Sequence, residues 1–340
     1  MRIAIDAMGG DHAPMAPVQG ASAFAEERPD VEVLLIGDEA QIRQVRALPA
    51  NVRVEHTVSV VEPGEEPVRA VRRKPDSSLV TAARMVKEGA ADAMVSAGNT
   101  GALVAAGLLV VGRLEGIDRP ALAPVLPTFD GRGVMLLDAG ATMDANSRHL
   151  LQFALMGSAY SKYVLGVERP RVGLLNVGTE EGKGNAVVKD TYGVLKAFEQ
   201  IHFAGNVEAR DLLSGSVDVV VCDGFVGNVV LKLVEGVGAG VFGALKEAFL
   251  KNWWTKLRAA AIAPTLRPFR RRFDYAEYGG APFLGVAGGC FKAHGSSNAR
   301  AWYVTCTQAA RFVENRLLNH IAEDLQSDRT EAEELGRNER

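Results

Sequence analysis

The sequence predicts an α/β fold, a mostly parallel, partly mixed sheet sandwiched by helices. Three observations carry this. Short apolar, β-branched runs recur along the chain, segments of helical period separate most of them, and the runs lack the in–out alternation of a sheet with one wet face. The runs lie at 3–5, 31–36, 52–58, 93–96, 134–137, 172–176 and 217–222. Helical spacing of apolar residues marks 77–87, 99–113, 147–165, 191–199 and 228–234. Trp302, Cys306, Ala309, Val313 and Leu317 form a stripe that predicts a core-facing helix near the end.

A chain of 340 residues is long enough for two lobes. No repeat and no Pro/Ser-rich linker divides it, so residues 1–325 read as one catalytic region of two interleaved lobes. Residues 326–340 form a polar, charged tail with little to bury. A net charge of −3 gives no global attraction to nucleic acid. Cys222, Cys290 and Cys306 are far apart, without zinc spacing or a disulfide framework, which predicts buried reduced thiols in a cytoplasmic protein. Asp6 interrupts any apolar leader, and the longest uninterrupted apolar run, 101–112, falls short of the roughly 20 residues of a membrane span.

The functional signal lies in six Gly-rich polar turns, most of them leaving a strand and entering a helix. They are Asp6-Ala7-Met8-Gly9-Gly10-Asp11-His12 before Pro14, Ser96-Ala97-Gly98-Asn99-Thr100-Gly101, and Asp138-Ala139-Gly140-Ala141-Thr142-Met143-Asp144. The others are Asn176-Val177-Gly178 leading to Gly182-Lys183-Gly184-Asn185, Asp223-Gly224-Phe225-Val226-Gly227-Asn228, and Lys292-Ala293-His294-Gly295-Ser296-Ser297-Asn298. In a parallel sheet such turns share the carboxyl rim, where glycine admits a ligand and helix starts offer N–H groups to an anion. One helix start contributes only ~0.3–1 kcal/mol at an exposed site, so converging termini plus a lysine are needed to hold phosphate. Any single turn is equally well a helix cap.

Two nucleotide motifs fail. Gly178-x-x-x-Gly182-Lys183 is one residue short of a P-loop, and Gly184 stands where Ser or Thr would hold magnesium. Gly238-x-Gly240-x-x-Gly243 follows a helix rather than a strand and lacks the later acidic residue, so it reads as a close-packed helix. No nucleotide or other cofactor is expected; Asp6, Asp11 and Asp223 could hold a metal or simply fix the turns through Asx hydrogen bonds, and the turn reading is favoured.

Taken together and in order, these turns, with Lys74-Pro75-Asp76-Ser77-Ser78 and Tyr278-Gly279-Gly280-Ala281-Pro282, resemble the phosphate acyltransferases of bacterial phospholipid synthesis over nearly the whole chain. The chain departs from that pattern at Thr142 and Pro75. The resemblance implies a homodimer with a fold similar to the isocitrate and isopropylmalate dehydrogenases and phosphotransacetylase. It also implies transfer of an acyl group from acyl carrier protein to inorganic phosphate, for consumption by a downstream glycerol-phosphate acyltransferase.

That chemistry suits the residues. Phosphate is already anionic, and the chain offers no G-x-S-x-G elbow or Cys-His pair for covalent catalysis. Direct transfer needs a phosphate cradle, oxyanion donors and help for the departing thiolate. Lys183 with Gly182, Gly184 and Asn185 is the expected cradle, assisted by Ser77, Ser78, Ser296 and Ser297. Asn99, Thr100 and Asn228 are expected to orient phosphate or stabilise the oxyanion. His294 is expected to assist thiolate departure, with His12 a weaker second choice; Gly98, Asp223, Gly224, Lys292 and Gly295 complete the set.

Residues 242–273 are expected to form an amphipathic basic hairpin. Phe242, Leu245, Phe249, Trp253 and Leu257 are interleaved with Lys246, Lys251, Lys256 and Arg258, and Arg267, Arg270, Arg271 and Arg272 follow Pro264. These eight cations face a single acid, Glu247. With Trp253 and Trp254 they suit an anionic lipid surface at the inner face of the membrane, or an acidic carrier protein. Core burial is the plain alternative for the helix. A phosphotransacetylase acting on coenzyme A thioesters, or a membrane scaffold of lipid synthesis, are the competing functional readings.

Overall fold

The computed structural model describes residues 1–325, excluding the side chains of Ala263, residues 266–271 and Tyr275. The predicted tail from Gln326 lies outside the described residues, as do the side chains of Arg267, Arg270 and Arg271. The apolar runs become strands of two sheets. In the first, β1 (Arg2–Asp6), β2 (Glu32–Gly37), β3 (Val52–His56) and β4 (Ala93–Ser96) are parallel, and β5 (Ala121–Leu122) closes the far edge. The chain then builds a second sheet from β6 (Val125–Leu126), β7 (Val134–Leu137), β8 (Arg171–Asn176), β9 (His202–Glu208) and β10 (Val219–Val221). It returns to the first with β11 (Ala281–Leu284) and β12 (Gly289–Lys292). The orders are β3-β2-β1-β4-β12-β11-β5 and β6-β7-β10-β8-β9, with β5, β6 and β11 antiparallel to their neighbours.

Helices α1 (Met15–Glu27), α2 (Glu39–Val45), α3 (Pro67–Arg73), α4 (Ser78–Lys87), α5 (Thr100–Ala106), α6 (Ser147–Tyr163), α7 (Ala186–Ala197) and α10 (Ala299–Glu314) flank these sheets, while α8 (Gly224–Leu250) is buried only at its start and α9 (Trp253–Arg272) packs on α8. The largest apolar cluster takes residues from both sheets, among them Ile5, Val95, Leu137 and Val221, so one continuous core joins them. The crossing of α1 and α10 depends on Gly20, where a Cβ would lie 2.4 Å from the Ala299 carbonyl oxygen. Trp302, Cys306, Ala309 and Leu317 are buried there as the stripe predicts.

Four local readings change. The helix expected over 99–113 is α5 followed by a π-helical segment, Gly107–Val111. The short helix expected at 228–234 is part of the 27-residue α8, which is long and apolar enough, by length and composition, to cross a membrane. Gly238, Gly240 and Gly243 on α8 face open space rather than close packing. The predicted hairpin is therefore the end of α8 plus α9, broken at Lys251 and Asn252, so the apolar stripe from Phe242 to Leu257 is shared by two helices.

Candidate active site

The six polar turns fall into two groups of three, because each sheet brings three strand ends side by side. In the first sheet these are Asp6, Ser96 and Lys292, the last residues of adjacent β1, β4 and β12. In the second they are the turns after β7, β10 and β8.

The first group is dry. Asp6, Ser96 and Lys292 are 2%, 0% and 9% exposed. Ser96 Oγ donates to Asp6 Oδ2 at 2.6 Å, the Met8 amide donates to Asp6 Oδ1, and the Gly98 amide donates back to Ser96 Oγ. A Cβ at Gly9 would sit 2.5 Å from Asp6 Oδ2 and 2.7 Å from the Gly98 nitrogen, so glycine is what lets the two turns touch. Burial pushes the Asp6 pKa up, against the pull of these donors. Lys292 Nζ donates to the carbonyls of Ala97 and Ala293. Burial lowers its pKa to about 8, opposed by Asp6 and Asp11 and aided by Lys232.

Several predicted ligands turn inward here. Ser77 and Ser78 are buried; Ser77 Oγ donates to the Lys74 carbonyl, while Ser78 Oγ lies near the Asp6 carboxylate without a hydrogen-bonding partner in geometry. The Asn99 amide is committed: Oδ1 accepts from Ala102 N, and Nδ2 donates to the Pro63 and Glu65 carbonyls. Thr100 opens α5 and is exposed, whereas Gly98 is half-buried. Ser297 is buried, while His294 is exposed with Nδ1 2.8 Å from Ser296 Oγ. The Asp11 amide donates to the Gly295 carbonyl and ties this turn to the first.

The second group centres on Asp138, which lies in one of the six turns but was not among the predicted site residues. Its buried carboxylate accepts from the amides of Leu122, Gly140, Ala141 and Thr142. Burial nevertheless raises its pKa to about 6. Gly224 donates to the Thr142 carbonyl, and a Cβ at Gly227 would fall 1.9 Å from the Asp138 carbonyl oxygen. This packs the start of α8, capped by Asp223 on the Val226 amide, directly on the turn, with Asn228 beside Gly140. On the next strand, Asn176 Nδ2 donates to the Lys183 carbonyl and Asn185 caps α7. That folds Gly182, Lys183 and Gly184 into an exposed loop, with φ +95° at Gly184. Among the described residues Lys183 has no ion-pair partner.

The two groups meet along α8. Asn228, Lys232 and Glu235 occupy i, i+4 and i+7, one helical face. Glu235 Oε1 is 3.8 Å from His294 Nε2, and Lys232 Nζ is 2.8 Å from Glu235 Oε2. From Gly224 to Glu235 the helix rises roughly 16 Å, linking the Asp138 turn at its start to the His294 turn. Lys232 and Glu235 carry only a weak sequence signal, polar spacing on an otherwise apolar helix. The arrangement offers cations from both groups of turns and from α8 (Lys183, Lys292 and Lys232), helix starts, and the exposed imidazoles of His294 and His12. Such a site is suited to hold a phosphate anion and stabilise negative charge.

All three cysteines are buried, with pKa values raised by burial, to about 12 for Cys290 and Cys306. None is placed as a nucleophile. Among the described residues no cluster of three or more His, Cys, Asp or Glu has the arrangement of a metal site. In the hairpin, Trp253 and Trp254 stack at 3.6 Å between centroids yet stay more than half exposed, as does Leu257; Arg258 is also exposed.

Residues 1–320 match the family model described as fatty acid synthesis protein. A phosphate acyltransferase of Brevibacillus brevis is 52% identical over 328 residues, 96% of this chain and 98% of the relative. One from Geobacillus sp. (strain WCH70) is 53% identical over 326 residues, 96% of this chain and 99% of the relative. Among solved structures, a phosphotransacetylase from Streptococcus pyogenes superposes with TM-score 0.60 at 15% identity, covering 92% of this chain and 94% of that one. A branched-chain phosphotransacylase from Enterococcus faecalis gives TM-score 0.54 at 13% identity, covering 92% and 98%. At those identities the structures speak to the fold alone.

Proposed function

The chain belongs to the fatty acid synthesis protein family as a phosphate acyltransferase, and on that premise we propose that it moves a fatty acyl group from acyl carrier protein onto inorganic phosphate. The products are acyl phosphate, destined for phospholipid synthesis through a glycerol-phosphate acyltransferase, and free carrier protein. The observation that supports this reading is that α8 links the two groups of turns, Lys292 and His294 belonging to one, Lys183 to the other, and Lys232 to the helix between them. A phosphate oxygen attacks the thioester carbonyl, the C–S bond breaks, and the thiolate leaves with a proton.

In this reading Lys183 and the backbone at Gly182, Gly184 and Asn185 hold phosphate, assisted by Lys292, Gly295 and Ser296. Asn228 and Thr100 face the developing oxyanion, and His294 protonates the departing sulfur. Ser77, Ser78, Ser297, Gly98, Asn99, Asp223 and Gly224 act by fixing turns, since their polar groups are buried or already engaged. Removing one oxyanion donor is expected to cost ~10²–10³ in rate. The enzyme works as a homodimer and touches anionic membrane through Trp253, Trp254, Leu257 and Arg258, and through Arg267, Arg270 and Arg271.

The test is thiol release from palmitoyl–acyl carrier protein with and without phosphate, trapping acyl phosphate with hydroxylamine, beside palmitoyl–coenzyme A. Phosphate-dependent release from the carrier protein supports the proposal; release from coenzyme A alone moves the reading to a phosphotransacetylase. Lys183→Ala is expected to raise KM for phosphate with the fold intact, because the side chain is exposed. Unchanged phosphate dependence would remove Lys183 from the cradle.

A further inference from the structure

Lys292 is a buried cation whose two hydrogen-bond partners, the carbonyls of Ala97 and Ala293, carry no charge. A buried ammonium with neutral partners tends to lose its proton unless an anion lies near. The side-by-side ends of β1, β4 and β12 supply one: Asp6 is buried on the same rim, and Ser96, the register partner of Lys292, donates to it. Other charged groups facing this corner are Asp11 on the β1 turn, His294 on the β12 turn, and Lys232 and Glu235 on α8. Of these, Asp6 is the one held in the dry interior, so its charge is the least screened.

We infer that Asp6 is a positioning residue of the phosphate site: its buried carboxylate keeps the Lys292 ammonium charged and closes the turn from Ser96 to Gly98 against the first turn. This rests on the assignment of Lys292 to phosphate binding. The geometry explains one nearby glycine: a Cβ at Gly9 would collide with Asp6 Oδ2 at 2.5 Å. Ser78, at the start of α4, is buried beside the same internal anion.

The experiment compares wild type with Asp6→Asn, Ser96→Ala and Lys292→Arg. It follows KM for phosphate across pH, and reads the Lys292 Nζ titration directly by NMR of 15N-lysine-labelled protein. For Asp6→Asn the Lys292 midpoint, and with it the pH above which phosphate KM rises, is expected to fall by about one unit or more. Ser96→Ala keeps the carboxylate and is expected to leave the midpoint in place. Lys292→Arg, charged at every accessible pH, is expected to flatten the basic limb.

An unmoved Lys292 midpoint in folded Asp6→Asn overturns the inference. Should that variant fail to fold, a wild-type basic limb that persists in Lys292→Arg overturns it instead. A Lys292 midpoint that moves while phosphate KM does not would leave the Asp6–Lys292 coupling standing and sink the assignment of Lys292 to phosphate.

Discussion

Replacing Gly227 by alanine adds one methyl group where the start of α8 meets the Asp138 turn. That carbon would lie 1.9 Å from the Asp138 carbonyl oxygen, 2.9 Å from its carbon and 3.0 Å from Cys222 Sγ. Two of the three atoms are backbone, and the turn is pinned by four amide donors on the Asp138 carboxylate, so the helix has to move. Overpacking of this kind costs about 1–3 kcal/mol, and the upper end applies where backbone is the obstacle. Alanine returns ~1 kcal/mol of helix propensity, leaving about 2 kcal/mol of net destabilisation.

A thermal melt reads this as a fall of several degrees, at about 2–4 °C per kcal/mol or less for a chain of this size. Catalysis reads the displacement of Asn228 and Lys232, which ride on the same helix, as a lower kcat/KM. Gly193→Ala is the control. It lies mid-helix in α7 with nothing within 4 Å of the added carbon, and is expected to melt at or above wild type. Gly227→Ala protein that melts with the control and keeps full activity would refute the packing of α8 on the Asp138 turn.

Asp138→Asn replaces an acceptor-only group with one whose amide nitrogen must face backbone N–H donors, and is expected to destabilise by ~1–3 kcal/mol in chemical denaturation. In wild type the folded-state pKa of about 6 lies above the unfolded value of 3.8, so the fold binds more protons than the unfolded chain. Stability from this group is thus full below the unfolded value and lost as pH rises through about 6, by up to roughly 3 kcal/mol. The Asn variant should lose that component, and an unaltered pH–stability curve would contradict it. Trp253→Ser with Trp254→Ser is expected to abolish flotation with anionic vesicles while sparing turnover of soluble donor, because both rings are more than half exposed. Retained flotation would place lipid contact elsewhere.

The strands of the parallel cores were legible because a strand buried on both faces has to be apolar throughout. Val134–Leu137 and Val219–Val221 can satisfy that environment and few others. The six turns were legible too, since glycine, Asx and Ser at strand ends have few alternative uses. Harder to read was β9 (His202–Glu208), whose polar, glycine-containing run sits at a sheet edge where one side needs no partner.

What only the tertiary structure decided is which polar groups stay open and which are spent on the fold. Asn99, Ser77 and Ser78 look like ligands in the sequence, yet their groups are spent on loops or buried beside Asp6. Asp138 and Lys232 attracted no role, yet one organises the second rim and the other faces Lys292. The sequence by itself determined the family, the fold class and the rim chemistry, because local pattern and residue type suffice for those. Whether a given Asn caps a helix or meets a substrate depends on neighbours dozens to hundreds of residues away. Asp6, Ser96 and Lys292 become one cluster only when β12 is laid beside β4, a juxtaposition made by sheet pairing and core burial rather than by anything local to the three turns.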